Sequence, residues 1–499
     1  MDALDSRNAR DKSIARAIAW SASAKWFTQL FSWISTIIVA RLLSPSNFGL
    51  FGMATVYLCF AGIFDQFGIA DAVLTLRDLS KRQIAELNSL AVIQGICLFS
   101  FSCAIAVPLA HFFKEPRLAM VVIVSSSTFI INAFQVIPSA LLKKNLRFKL
   151  LALIDTLRQF FQMISVIALA WYGLGYWSLA YSFIVGVCVS TLLTVLARRH
   201  SFAIPHFAGL RREIRFSREV LSAGLFWYLY SNGDFLVAGR FLGTQALGDY
   251  TVAWNISSTP IEKIGNLITG VTPALFATVQ KDKSELRRYF LRITESLSCI
   301  VLPASIGLAV LADLLVSVLL GTKWVGVIGP LRLLGIFVAF RSLNTVLPKI
   351  LTAIGNTEFV MWTTAVSAIV MPISFLVGSR WGTNGIATAW IIMYPIVTAP
   401  LYWKTFRQID LRLHDYLTAV IPAVNASLIM AVLVLGGRLA LPLSLPPLFR
   451  LMLLVSLGVA AYSGAFWVLY RERVSRLVRA VQIAIPLPAG RPIQANDRS

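Results

Sequence analysis

Charge is scarce in this chain. Only 14% of its 499 residues are Asp, Glu, Lys or Arg, and 23 are acidic. An ordinary soluble domain carries about a quarter charged residues. Long polar stretches are missing as well. The longest, Arg198 to Arg218, is too short to bury a core, which excludes a separate water-soluble domain. Cysteine is sparse: Cys59, Cys97, Cys103, Cys188 and Cys299 all fall in apolar stretches without CxxC spacing. They read as buried, inert thiols and exclude a disulfide framework. The four histidines, His111, His200, His206 and His414, lie in loops or at span ends and form no cluster with Cys or Glu. No GxxxxGK[ST] loop is present to cradle a triphosphate, and no nucleophile or DxD motif appears. These absences point away from an enzyme and from any cofactor or metal. Met1 to Arg16 lacks the apolar segment and cleavage site of a signal peptide. The first span is expected to act as the insertion signal.

What is present is apolar. Hydrophobic residues make up 57% of the chain and the mean hydropathy is +0.74. Fourteen apolar spans run from Ile14–Leu43 to Leu448–Tyr470, and about 20 such residues suffice to cross a bilayer. The expected fold is an all-α integral membrane protein with 14 transmembrane helices.

The net charge of +22 follows the positive-inside rule rather than a nucleic-acid surface, because the cations sit in short alternating loops. One side carries 32 Lys and Arg, including Arg211 and Arg287. The other carries 8: Arg41, Lys114, Arg117, Arg240, Lys323, Arg380, Arg438 and Arg450. That bias puts both termini in the cytoplasm.

An offset of 199 residues aligns Ala40-Arg-Leu-Leu-Ser-Pro-Ser-Asn-Phe-Gly-Leu-Phe51 with Gly239-Arg-Phe-Leu-Gly-Thr-Gln-Ala-Leu-Gly-Asp-Tyr250 without a gap. Arg41 pairs with Arg240 and Gly49 with Gly248. Each stretch closes one span and opens the next, so the repeat unit is six spans. An even number makes the repeat parallel, about an axis along the membrane normal, as in alternating-access transporters. The expected domains are residues 1–200 as a first lobe (spans 1–6), 201–216 as a basic cytoplasmic linker, and 217–410 as a second lobe (spans 7–12). Residues 411–471 hold spans 13 and 14, and 472–499 form a basic cytoplasmic tail.

Three motifs carry a resemblance. They are Ala40-Arg-Leu-Leu-Ser-Pro-Ser-Asn-Phe-Gly-Leu, Phe64-Asp-Gln-Phe-Gly-Ile-Ala-Asp-Ala, and Asp234-Phe-Leu-Val-Ala-Gly-Arg-Phe-Leu-Gly followed by Leu247-Gly-Asp-Tyr. Their order and spacing resemble the Wzx-type polysaccharide flippases of the MATE-like superfamily. Asn47 stands where that family usually has an acidic residue. The resemblance spans roughly Ser13 to Phe406 and implies two six-helix lobes plus two C-terminal helices. It further implies translocation of an undecaprenyl-pyrophosphate-linked oligosaccharide across the bacterial inner membrane for cell-surface polysaccharide biosynthesis. Expected partners are that lipid-linked substrate, membrane lipids and a polysaccharide polymerase or export machinery, with no nucleic acid. The rival readings are a MATE-type drug/cation antiporter and a membrane enzyme such as a polysaccharide polymerase.

Ionisable groups at bilayer depth are costly, about 2.5–3.5 kcal/mol each on insertion scales, and normally face a protein interior or a wet cavity. Lys25, Arg341, Arg332 and Lys263 are candidates for binding the head group, since Lys and Arg satisfy phosphate oxygens with charge-assisted hydrogen bonds. Asp234, Asp65, Glu295 and Glu262 are candidates for ion coupling. Asp155 and Arg158, three apart on one helix face, read as a local ion pair. Arg41, Gly49, Arg240 and Gly248 mark the repeated turns.

Overall fold

The computed structural model describes residues 34–65, 73, 79–199, 201–204, 211–269, 272, 276, 278–280, 282–442, 444–471 and 473. Side chains are described throughout these except at 65, 211–223 and 259–269. Among the described residues there is no strand, and ten helices are long and apolar enough to cross a membrane.

After a helical segment at 34–42 come α1 Pro45–Asp65, α2 Lys81–Phe113, α3 Leu118–Lys144, α4 Phe148–Trp171 and α5 Trp177–Ala197. The second half holds α6 Arg211–Thr269, α7 Lys283–Leu319, α8 Ile328–Asn344, α9 Val346–Ala353, α10 Thr357–Gly378 and α11 Gly382–Gln408. The hairpin α12 Leu413–Ala440 and α13 Pro447–Leu469 closes the series.

Local chemistry sets the helix ends. Ser80 opens α2 with a capping box: Gln83 N–H donates to Ser80 Oγ at 3.2 Å, and Ser80 N–H donates to Gln83 Oε1 at 2.9 Å. Lys114 closes the same helix in the left-handed region, φ 56°. In the turn that follows, Arg117 donates to both Glu115 oxygens at 2.7 and 2.9 Å. That pairing holds the Glu115 carboxyl below the ordinary carboxylate range. α6 is broken at Gly243, φ 84° and ψ −176°, so two spans meet there without a loop.

The chain packs as two compact units. The first comprises Met1–Asn255, Leu319–Pro330 and Met361–Val397. In it α2 lies along α3, and α4 along α5. Gly95 lets the α2 and α3 backbones close up, since a Cβ there would come within 2.7 Å of the Phe129 carbonyl. The second unit comprises Ile256–Val318, Leu331–Val360 and Thr398–Ser499. Its α12–α13 hairpin packs on α7 through Leu311, Met430, Val434 and Leu454. Polar clamps add to that packing: Arg473 reaches Glu295 at 3.1 Å, and Tyr462 donates to the Cys299 carbonyl at 2.8 Å.

The thiols depart from expectation. Cys59, Cys97 and Cys188 are exposed and only Cys103 and Cys299 are half-buried. Outward faces of these helices are as apolar as inward ones, with Ile93, Ile96 and Phe101 exposed on α2. Lipid is as apolar as a core, so an apolar neighbourhood in sequence does not mark an inward face.

Candidate transport site

The two copies of the repeated turn touch. A Cβ on Gly49 would lie 1.6 Å from the Thr244 carbonyl oxygen, and one on Gly248 would lie 1.8 Å from the Pro45 carbonyl oxygen. Thr244 is the repeat counterpart of Pro45, as Gly248 is of Gly49. The crossing therefore has local two-fold character. Only glycine fits at either position, and the approach resembles the small-residue crossings of membrane helices. Ser46 Oγ and Thr244 Oγ1 share a hydrogen bond of 3.2 Å across it.

Further groups close around this end of the first unit. Trp324 is fully buried, donates from Nε1 to the Ala40 carbonyl at 2.8 Å and meets Phe48 edge-on at 5.3 Å. Lys323 donates to the Arg41 carbonyl at 2.6 Å, and Arg41 Nε donates to the Leu319 carbonyl at 2.8 Å. Arg240 lies over the Phe112 ring at 5.4 Å. The equivalent arginines of the two copies thus have different surroundings. Asp249 is buried against Gly326, where a Cβ would come within 2.2 Å of its Oδ2.

Asp234 lies at the centre of an aromatic cage. Its side chain is fully buried. Oδ2 accepts from the Tyr250 hydroxyl at 2.8 Å and from Trp390 Nε1 at 2.9 Å. Oδ1 accepts from the Phe235 backbone N–H at 2.9 Å. Trp254 and Phe375 pack on Trp390 at ring distances of 5.7 and 4.9 Å. Donors of this kind make a buried carboxylate tolerable.

An open cavity of about 320 Å³ lies against α4 in the same unit. Arg158, Gln159 and Gln162 line it with Ser35, Thr36 and Ser182, and Phe48 and Phe51 form part of its apolar wall. It offers a cation, amides, hydroxyls and ring faces, which suits an anionic, hydroxylated ligand. Sequence reasoning missed it by treating Arg158 only as a partner for Asp155. That pair is present at 3.4 Å, yet Arg158 also faces the cavity. The signal was legible as Arg158, Gln159 and Gln162, spaced to share one helix face.

The other expected site residues are dispersed. Lys25 lies outside the described residues, as do the side chains of Asp65, Glu262 and Lys263. Arg341 is half-buried in the last turn of α8. Glu295 on α7 is paired with Arg473. Arg332 lies 3.4 Å from Asp313, a carboxylate held chiefly by Arg438.

Long apolar helices joined by short turns, with an internal repeat whose copies interlock, define a multi-pass, all-helical membrane protein. A family model described as "Polysaccharide biosynthesis protein" matches residues 38–329. That is more than half of the chain, and the chain belongs to this family. It is 25% identical over 447 residues to the lipopolysaccharide biosynthesis protein WzxC of Escherichia coli, covering 86% of this chain and 90% of that protein. It is 23% identical over 488 residues to the teichuronic acid biosynthesis protein TuaB of Bacillus subtilis, covering 94% and 98%. Among solved structures, the lipid II flippase MurJ in an inward closed conformation superposes with a TM-score of 0.74 at 12% identity, covering 91% of this chain and all of that one. An inward-facing multidrug resistance MATE transporter gives 0.61 at 16% identity, covering 77% and 94%. These two likenesses concern the fold.

Proposed function

We propose that this protein flips undecaprenyl-pyrophosphate-linked oligosaccharides across the bacterial inner membrane during cell-surface polysaccharide biosynthesis. The observation that carries the reading is the interlocked crossing of the two repeat copies at Gly49 and Gly248. A duplicated structure closed at one end by equivalent turns is what an alternating-access carrier needs as one of its two gates. The charge bias assigns Arg41, Arg240 and Lys323, and with them this end, to the outside. The conformation then has its outer gate shut. Family membership directs the substrate class, and the named relatives act in lipopolysaccharide and teichuronic acid biosynthesis.

In this mechanism the chain has 14 spans in two six-helix lobes plus two C-terminal helices, with both termini cytoplasmic. The anionic head group enters from the cytoplasm, and the polyprenyl tail stays in lipid. Lys25, Lys263, Arg332 and Arg341 supply cations along the route, and Arg158 joins them on the strength of its cavity. The Gln159 and Gln162 amides and the ring faces of Phe48 and Phe51 suit sugars. Asp234 couples transport to a proton or sodium ion. In its buried cage, gain or loss of a cation changes the hydrogen bonds from Tyr250 and Trp390, which bridge the two halves of α6 and α11. Asp65, Glu262 and Glu295 are the remaining candidates for that role. The purified chain in proteoliposomes, supplied with fluorescent lipid-linked oligosaccharides, should move the sugar head group between leaflets. Absence of movement for every lipid-linked sugar tried, with correctly folded protein, would reject the function.

A further inference from the structure

Two of the eight outer-side basic residues, Arg438 and Arg450, gather with Arg332 around one carboxylate. Arg438, at the end of α12, donates from both terminal nitrogens to the two oxygens of Asp313 on α7, with Nη1 to Oδ1 at 3.1 Å. Arg332 of α8, which the charge count had left inside the membrane, lies 3.4 Å from the same carboxylate. Arg450, near the start of α13, donates from Nη2 to the Arg438 carbonyl at 2.6 Å. Its Nε is buried and meets no acceptor among the described residues. Two of the three guanidinium groups, Arg438 and Arg450, therefore come from the outer-side set, and Arg332 completes the triad. Against one carboxylate the cluster holds two surplus positive charges.

Snorkelling accounts for a lone arginine at an interface. It does not account for three on separate helices converging where cations are otherwise few. The pairing with Asp313 leaves Arg332 half-exposed. Beside the cluster Leu435, Leu439, Leu448, Phe449 and Met452 are exposed, an apolar surface for a lipid chain. Guanidinium forks match phosphate oxygens in pairs.

We propose that Arg332, Arg438 and Arg450 form a binding site for the phosphate group of a lipid in the outer leaflet. Its assignment to that leaflet rests on the topology adopted under the function above. Two sources share the chemistry: the pyrophosphate of the lipid-linked sugar after it has crossed, and a resident anionic phospholipid.

Native mass spectrometry of the full chain in detergent tests the site, with undecaprenyl pyrophosphate and phosphatidylglycerol as probes. The variant Arg332→Gln/Arg450→Gln leaves the Arg438–Asp313 pair in place. At least about tenfold weaker retention of one or both lipids is expected, the scale of a lost charge-assisted fork. Loss confined to undecaprenyl pyrophosphate identifies an exit station for the transported lipid, and loss of both identifies a general phosphate site. Arg450→Gln alone, which breaks no ion pair, should show a smaller loss in the same direction and serves if the double variant does not fold. Unchanged retention of both lipids in a folded variant overturns the site. Because retention is read without transport, a chain that flips nothing yet loses lipid keeps this site and loses the function above. A chain that flips normally with unchanged retention does the reverse.

Discussion

Gly49 and Gly248 are each pressed against the backbone carbonyl four residues upstream of the other: Gly49 against Thr244, and Gly248 against Pro45. Each glycine thus makes room for its own repeat counterpart's helix start. The first prediction follows from that reciprocity. Gly49→Ala or Gly248→Ala should oppose the closed crossing by about 1–3 kcal/mol, the usual cost of overpacking. That shifts the balance between closed and open outer ends by roughly 5- to 150-fold. Accessibility of a cysteine at position 46 to a membrane-impermeant reagent should rise in either variant, and flipping should fall. The complementary pair Ser46→Cys/Thr244→Cys, in a cysteine-free background, should cross-link and block flipping until reduced. Unchanged accessibility in both alanine variants would mean the crossing is not a gate.

Asp234→Asn probes the coupling step. The amide oxygen can still accept from Tyr250 and Trp390, while the Phe235 N–H loses its acceptor, so the cage should hold with a modest loss of about 1 kcal/mol, the scale of one hydrogen bond. Substrate binding should persist, while flipping should no longer respond to an imposed pH or sodium gradient. A large loss of stability, with residual transport still gradient-dependent, would assign Asp234 a purely structural role.

For the head group, Lys25→Ala and Arg341→Ala should each abolish export while leaving protein level and insertion intact. Gln should behave as Ala does if charge is what matters. Arg158→Gln should weaken binding of the lipid-linked sugar by about tenfold, the scale of one lost charge-assisted bond. Full export by all three Ala and Gln variants would remove these cations from the route.

Single-cysteine labelling checks the orientation. Sites 211 and 287 should react only from the cytoplasmic side, and sites 323 and 380 only from outside. Labelling of site 323 from the cytoplasm alone would reverse the topology and, with it, the side on which the closed end lies.

The helical character and the repeat were legible because both are local. Apolar runs announce helices, and Arg41/Arg240 with Gly49/Gly248 align without a gap. That the two copies touch was not legible, because spacing along a chain says nothing about which turns meet in space. Asp234 stood out as a buried acid, yet one of its partners, Trp390, lies 156 residues away. Asp313 was overlooked because it sits near a span end, where a carboxylate needs no explanation. Its meaning comes from the arginines that two other helices bring to it and from Arg450, which backs Arg438. The cysteines misled for a physical reason: lipid and protein interior are alike to an apolar stretch, so composition cannot tell outward from inward.

The break in α6 has a corollary for the repeat. Gly243 holds φ 84° with ψ −176°, a backbone state open essentially to glycine alone. Its counterpart in the first copy is Ser44, followed by Pro45 at the start of α1. The repeated corner is turned by two different devices, a glycine in one copy and a Ser-Pro pair in the other. The twelve-residue cassettes 40–51 and 239–250 are therefore not interchangeable parts. Transplanting the first into the second position would set a serine where only glycine can stand, and the corner would be strained.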